Sequence, residues 1–164
     1  MTVSPTSTPT AFTLAAHEGR TAAPLNVVGE ETLVKVSAAD TDGALALFHL
    51  VAPPMSGPPL HVHSREDEAF YVLTGELVFE IDGARETVGA GGTVFLKRGV
   101  THRYQNFTDR DASLLIAVTP AGFQDFFVEL AAATPPEGGI PPMDVLQAID
   151  ACYGITTLGP PMFE

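Results

Sequence analysis

The amino-acid sequence predicts an all-β barrel or sandwich followed by a short C-terminal helical tail. Between about residues 25 and 120, short runs of β-branched and aromatic residues are separated by glycine, proline and Asp-Gly turns. No segment of this range has the pattern of a crossover helix, so we expect antiparallel sheets. The 164 residues therefore divide into an N-terminal extension (1–24), a barrel (25–120) and C-terminal helices with a tail (121–164).

The barrel region contains seven segments that predict strands by composition and by their bounding turns. Asp82-Gly83 is a strong hairpin signal, and Gly91-Gly92 and Arg98-Gly99 mark further turns. The predicted strands are ETLVKV (31–36), ALALFHLVA (44–52), AFYVLTG (69–75), ELVFEID (76–82), TVFLK (93–97), HRYQNF (102–107) and SLLIAVT (113–119).

After Pro120 the spacing of apolar residues becomes that of a helix. Phe123, Phe126, Phe127 and Leu130 fall at i, i+3, i+4 and i+7, which places them on one face. The simpler interpretation is that this face packs on the outside or mouth of the barrel, and direct contact with a ligand is the alternative. A second helix is expected over 143–154, with Gly154 as its C-terminal cap.

Composition limits the classes of partner. The net charge is −12, with eight basic residues against twenty acidic ones, which argues against nucleic acid and anionic membranes as partners. No apolar run is long enough to span a bilayer, and the N-terminus lacks the basic region of a secretory signal. With the single cysteine Cys152, these features lead us to expect a cytoplasmic protein whose first ten residues are a mobile tail.

The segment PPLHVHSREDEAFYVLTG (58–75) carries a candidate metal site. In an extended chain, His61 and His63 point to the same face and can converge on one ion. Glu68 starts an otherwise apolar strand, where burial of its charge requires a partner charge or a metal. Glu66 and Asp67 precede that strand and are interpreted as solvated loop charges. A histidine pair alone is weak evidence, because many such pairs are merely polar surface residues.

The segment that contains His61, His63 and Glu68 resembles the first motif of the cupin family. HVHSREDEAFYVLTG is similar to His-x-His, three or four residues, Glu, six residues and Gly, with Gly75 closing the motif. Upstream, the family has a glycine followed by five residues, whereas Gly57 is followed by only three here. That departure affects the turn that enters the motif, and it leaves the histidines and Glu68 in place.

A later segment, GGTVFLKRGVTHRYQN (91–106), resembles the second cupin motif. Gly91, Gly99, His102 and Asn106 occupy the positions that the family conserves, and Lys97 stands where proline is usual. Because Gly99 retains the backbone freedom that the turn requires, we expect the turn to form. The resemblance covers residues 57–106 by motif and about 25–120 by strand pattern.

The resemblance implies a cupin double-sheet β-barrel of the jelly-roll type with one metal inside. Its ligands would be His61, His63, Glu68 and His102. Three imidazoles and one carboxylate suit a divalent transition metal (Ni, Fe, Mn, Co, Cu or Zn) and do not suit Ca or Mg. Family analogy also implies a homodimer, which the ETLVKV strand could form by pairing across a two-fold axis.

Several residues are candidates for a substrate pocket. His49 shares a strand face with Leu47, and whether that face points inward stays open. Few basic residues are placed inside the barrel, so a neutral, apolar or aromatic substrate is a better match than a phosphorylated one. The candidate pocket residues are Phe48, His49, Phe70, Tyr104, Phe123 and Phe127, and packing in the core is the simpler interpretation for Tyr104.

The closest resemblance within the family is to the single-domain quercetin dioxygenase-like group. It implies that O₂ opens the ring of a flavonol or another enolic aromatic, with Glu68 as the catalytic general base. The alternatives are an isomerase, cyclase or decarboxylase that uses the metal without O₂, and a non-catalytic module that binds a small ligand. Turnover under strict anoxia would distinguish the O₂-independent isomerase, cyclase or decarboxylase from the dioxygenase.

Overall fold

The structure is a computed structural model that describes residues 11–162, and it confirms the predicted antiparallel double-sheet barrel with two C-terminal helices. The predicted tail over residues 1–10 lies outside the described residues. The strands are β1 (Leu25–Val27), β2 (Glu30–Val36), β3 (Ala46–Ala52), β4 (Leu60–His63), β5 (Asp67–Thr74), β6 (Glu76–Ile81), β7 (Ala84–Gly89), β8 (Thr93–Leu96), β9 (His102–Gln105), β10 (Ala112–Thr119) and β11 (Ile155–Gly159).

The strands form two sheets whose inner faces enclose the core. One sheet has the order β1-β2-β3-β10-β5-β8, and the other has the order β11-β4-β9-β6-β7. Helices α1 (Phe123–Ala133) and α2 (Met143–Tyr153) pack on each other, with α1 against β1 and α2 against β11. Among the described residues, neither helix has the length and apolarity needed to cross a bilayer.

All seven predicted strands form, with ends within two residues of the expected ones. Four strands, β1, β4, β7 and β11, are not among the seven predicted ones, because each is short or polar and depends on a partner strand. The most consequential of these is β11, which lies in the predicted tail and pairs with β4, the strand that carries both candidate histidines. Gly154 ends α2 in the left-handed conformation, as the sequence predicted, and leads directly into β11.

Strand alternation decides which side chains enter the barrel. In β3, Phe48 and Leu50 are buried between the sheets, while His49 is on the opposite face. There His49 lines a surface depression with Phe12 and Lys35. The expectation that His49 could face a substrate is therefore wrong, because its strand parity turns it away from the interior.

Strand β2, which contains ETLVKV, is not available to pair with a second copy of the chain. In the sheet, β2 is flanked by β3 and by β1, so its first residues are already paired on both sides. Further along, the N–H of Arg20 donates to the carbonyl of Val34, and Lys35 Nζ donates to carbonyls of residues 15, 16 and 18. The described part of the N-terminal extension thus covers this edge, and a homodimer stays a prediction without this route.

The turns of both motifs form as expected. Gly99 has a φ of +87°, and its N–H donates to the carbonyl of His63, which ties the second motif to the first. Asn106 is fully buried and its side-chain amide donates to the carbonyls of Ala52 and Arg110. Lys97 therefore replaces the usual proline without loss of the turn, since Gly99 supplies the required conformation.

Gly57 allows the close approach of two chain segments, which yields a test of the fold. A Cβ at this position would overlap the carbonyl oxygen of Tyr104 and lie 2.8 Å from Gln105 Oε1. We expect Gly57→Ala to lower the free energy of unfolding by about 1–3 kcal/mol, because the backbone must move to relieve the overlap. Urea unfolding measures the change. Gly89→Ala is the matched control, since its Cβ would have no neighbour nearer than 4.0 Å, and an equal loss in both variants would contradict the prediction.

Candidate metal centre

Four side chains from both sheets converge at one place in the barrel. His61 and His63 lie on β4, His102 lies on the adjacent β9 opposite His61, and Glu68 reaches in from β5 of the other sheet. One potential ligand atom from each of the four lies within 4.8 Å of the others. The four residues that the motifs single out therefore form one group, which could hold a metal ion. We call it the His₃Glu group.

Backbone carbonyls orient two of the imidazoles. His61 Nδ1 lies 2.8 Å from the carbonyl oxygen of Pro59, and His102 Nδ1 lies 3.1 Å from that of Val100. In the tautomer with the proton on Nδ1, each ring donates to its carbonyl, and Nε2 is then the atom that would bind a metal. This is the usual support of metal-binding histidines, whose second nitrogen donates to a carbonyl or carboxylate.

Several buried polar atoms of the group lack hydrogen-bond partners. Glu68 Oε2 lies 2.9 Å from His102 Nε2 and 3.5 Å from His63 Nε2, but neither contact has the alignment of a hydrogen bond. Buried polar atoms without partners are rare because they carry a large desolvation cost. A divalent transition metal among these atoms would satisfy them, and a donor set of imidazoles with one carboxylate matches such metals. The residues present therefore fit the implied metal.

The charge states of His61 and Glu68 suit metal binding, whereas His63 holds a proton that a metal would have to displace. Burial and the neighbouring imidazoles of His102 and His63 lower the pKa of His61 to about 3, so this ring is neutral. Burial opposes ionisation of Glu68, but His63 and His102 outweigh it and lower the pKa of the carboxyl to about 2. For His63, burial is outweighed by Glu68 and Glu66, which raise its pKa.

The interpretation of Glu66 and Asp67 as solvated loop charges is wrong. Glu66 is buried, and its Oε2 lies 3.6 Å from His63 Nδ1, where it can orient the third imidazole. Asp67 forms a bidentate ion pair with the Arg98 guanidinium and accepts the Arg98 N–H, and these hydrogen bonds lower the pKa of Asp67 to about 2. Both carboxylates connect the first motif to the rest of the site, which strand parity alone could not reveal.

The His₃Glu group opens into a cavity between the sheets and the C-terminal helices. The centre of a water molecule can move within about 80 Å³ of this cavity. Its walls are mostly aromatic and aliphatic, and among the described residues no Lys or Arg lines it. Besides the His₃Glu group, the lining includes Phe70, Tyr104, Phe123, Phe126, Phe127, Leu130, Ile116, Leu146 and Ile155.

The predicted pocket residues divide into three sets. Phe70, Tyr104, Phe123 and Phe127 line the cavity, so the helical Phe face both packs on the barrel and forms a wall. Phe48 lies behind this wall, with its ring 4.8 Å from that of Phe127. His49 is on the far side of its strand, as described above.

The sequence interpretation missed two further buried carboxyls in the cavity. Glu30 heads β2 and accepts hydrogen bonds from Tyr104 Oη (2.6 Å) and Ser56 Oγ (2.9 Å). Burial raises the pKa of Glu30 to about 7, although both hydrogen bonds act in the opposite direction. Asp150 on α2 accepts a hydrogen bond from Thr157, and burial raises its pKa as well. Glu30 shows the signal that identified Glu68, an acid at the start of an apolar strand.

Comparison with known proteins shows what part of the chain is similar to. Residues 48–118 match the family model described as the Cupin domain, in agreement with the two-sheet cupin fold. An oxalate-binding protein of Thermotoga maritima is 35% identical over 66 residues, which are 40% of this chain and 54% of that protein. A β-D-galactosidase of Mycobacterium tuberculosis is 42% identical over 55 residues, which are 34% of this chain and 47% of that protein. The matches thus span about half the length of these curated relatives.

Among solved structures, a predicted oxalate decarboxylase from Thermotoga maritima has a similar fold. It is 29% identical, with a TM-score of 0.52, and the alignment covers 56% of this chain and 80% of that one. These comparisons support a cupin fold and a family whose members include enzymes. The narrower resemblance to quercetin dioxygenases has no support in them, so the reaction is a matter for proposal.

The position of Glu66 beside His63 predicts a role in metal affinity. We expect Glu66→Gln to weaken zinc binding about 10–100-fold, because the weaker acceptor no longer orients and polarises the imidazole. Competition with a chelating dye measures the dissociation constant. Glu86→Gln, at an exposed site on β7, is the control, and equal affinities in the two variants would show that Glu66 has no such role.

The buried carboxyl of Glu30 predicts a pH-dependent stability. Its pKa rises from 4.5 to about 7 on folding. Its contribution to the free energy of unfolding is therefore fully present below pH 4.5 and is lost as pH rises through 7. The loss corresponds to ~3 kcal/mol. We expect Glu30→Gln to remove this decline.

Urea unfolding of the wild type and Glu30→Gln at pH 5 and pH 8 measures this contribution, since groups common to both proteins cancel. The exposed neighbour Glu31 supplies the control variant Glu31→Gln. If the free energies of unfolding of the wild type and of Glu30→Gln change in parallel with pH, the raised pKa of Glu30 is disproved.

Proposed function

We propose that this cupin domain is a metal-dependent dioxygenase that acts on a small, neutral, enolic or phenolic aromatic molecule. The observation that supports this function best is the placement of the His₃Glu group in the wall of an aromatic cavity, to which the described residues contribute no Lys or Arg. Apolar pockets with a few convergent polar groups are the usual sites of small-molecule binding.

The size of the cavity favours a one-ring substrate. The 80 Å³ open to water centres holds about five to eight waters, or roughly 150–240 Å³ of liquid. A single aromatic ring fits such a space, since an apolar cavity of ~150 Å³ binds benzene. A three-ring flavonol would require the α1 side chains Phe123 and Phe127 to move aside, so the narrower substrate is the better match.

The charge of the cavity favours a neutral substrate. Glu30, Glu68 and Asp150 all line it, and within residues 11–162 no Lys or Arg in the lining balances their charge. An anionic substrate such as a sugar phosphate normally requires a guanidinium or ammonium partner. A neutral molecule with hydroxyl groups can instead donate hydrogen bonds to these carboxyls.

All four residues of the His₃Glu group would hold the metal in this proposal, and Glu68 has a second task. His61, His63, Glu68 and His102 would hold the metal, which supplies Lewis acidity and open coordination positions. Glu68 is ionised because of the surrounding imidazoles, so its carboxylate can accept the proton of a substrate hydroxyl. The aromatic walls orient the ring and exclude water from it.

A second candidate function is metal-dependent decarboxylation without O₂. It is favoured by the similarity to an oxalate-binding protein and to a predicted oxalate decarboxylase, and by the small cavity. The absence of Lys and Arg from the described lining disfavours a dianion, unless the metal itself provides the whole binding charge. We therefore rank it second.

The proposal predicts metal-dependent O₂ uptake. Protein loaded separately with Fe, Mn, Co, Ni or Cu is given catechol, a one-ring 1,3-diketone enol, quercetin or oxalate in an oxygen electrode. We expect uptake with at least one redox-active metal and a one-ring substrate, and little uptake with quercetin because of its size.

Zinc-loaded protein and His102→Ala are the controls for this experiment. Zinc binds the same ligands without redox chemistry, and the variant lacks one ligand, so neither should consume O₂. Absence of uptake with every metal would reject the dioxygenase. Carbon dioxide release from oxalate under anoxia would establish the second candidate instead.

A further inference from the structure

Glu30 is a buried carboxyl of the cavity that lies outside the His₃Glu group. Only 2% of its surface is exposed, and it lines the cavity together with its partner Tyr104. Tyr104 shares a strand face with His102 and lies two residues further along β9, a distance of about 7 Å. Glu30 and the His₃Glu group therefore present polar atoms to the same small space from two separate positions.

Two hydroxyl groups hold the Glu30 carboxyl in place. Tyr104 Oη donates to Oε2 at 2.6 Å, and Ser56 Oγ donates to Oε1 at 2.9 Å. A hydroxyl can donate to a carboxylate or turn and accept from a carboxylic acid, so the half-buried Ser56 suits both states of Glu30. Burial keeps Tyr104 neutral by raising its pKa well above the ordinary value, which makes it a constant donor.

We propose that Glu30 is a second acid–base residue of the cavity, and that it exchanges a proton with a substrate hydroxyl distant from the His₃Glu group. In this step the substrate O–H bond breaks, an O–H bond forms on Glu30, and the electron pair stays on the substrate oxygen. The role of Glu30 rests on the proposed function, because it assumes a substrate with an enolic or phenolic hydroxyl.

The other titratable groups of the cavity are less suited to this task. The lining groups that titrate are His61, His63, Glu68, His102, Tyr104 and Asp150. Glu68 is held ionised by its imidazole neighbours and would be engaged with the metal. Asp150 accepts a hydrogen bond from Thr157 at 2.6 Å on the side of α2. Glu30 has a pKa near neutral, which matches a group that both takes and returns a proton.

The test uses 4-nitrocatechol, a one-ring probe whose visible absorption reports the loss of its phenolic protons. Zinc-loaded wild type, Glu30→Gln and Glu31→Gln are titrated with it between pH 5.5 and pH 9. The ionisation of the free probe, which falls in the same pH range, is measured in buffer and subtracted. After this subtraction, we expect the wild type and Glu31→Gln to bind more tightly as pH rises through about 7, because ionised Glu30 then accepts a hydrogen bond or proton from a probe hydroxyl. Glu30→Gln should lose this inflection and bind roughly tenfold to hundredfold more weakly at pH 8.

Further readouts separate this role from a structural one. Zinc affinity should be the same in Glu30→Gln and wild type, since the side-chain partners of Glu30 among the described residues are Tyr104 and Ser56, which lie outside the His₃Glu group. Ser56→Ala keeps the carboxyl but removes a hydrogen bond that lowers its pKa, so the inflection should move to higher pH. This variant also provides the test if Glu30→Gln does not fold.

Three results would overturn the role of Glu30. They are an unchanged inflection in Glu30→Gln, an unmoved inflection in Ser56→Ala, and a wild type that does not bind the probe. Because zinc consumes no O₂, the experiment is independent of the dioxygenase reaction. Failed O₂ uptake with a positive probe result would reject the reaction and retain Glu30.

Discussion

The close approach of three imidazoles and one carboxylate inside an apolar barrel is the constraint on which the rest of the site depends. Both sheets must close for it to exist, because Glu68 comes from one sheet and the histidines come from the other. The cost of burying these polar atoms without partners explains the surrounding contacts, in which carbonyls and Glu66 each orient an imidazole. A metal would complete this arrangement.

The C-terminal segment completes the barrel and the cavity together. Strand β11 extends the sheet beside β4, while α1 presents its phenylalanine face to the interior. The helical face that packs on the barrel, as the simpler interpretation of the sequence expected, is therefore also a wall of the cavity. The residues that stabilise the fold thus also bound the space beside the His₃Glu group.

The distribution of acidic groups is the second feature of the cavity. Acidic groups occur near the metal ligands, at Glu30 and at Asp150, within walls that are otherwise aromatic. Burial disfavours the ionised state of Glu30 and Asp150, whereas the imidazoles favour it for Glu68. One cavity thus contains carboxyls of different acidity, an arrangement that suits the acceptance and return of protons during a reaction.

The sequence by itself, through its strand pattern and its resemblance to two cupin motifs, determined the fold class and the four members of the His₃Glu group. Residue spacing and the period-two alternation of strands are local properties, and the resemblance to the motifs was needed to group Glu68 and His102 with His61 and His63. Only the tertiary structure decided the outward position of His49, the pairing of β11 with β4, and the burial of Glu30 and Glu66. These depend on which segments meet across the barrel, since burial and its effect on acidity come from neighbours distant in sequence.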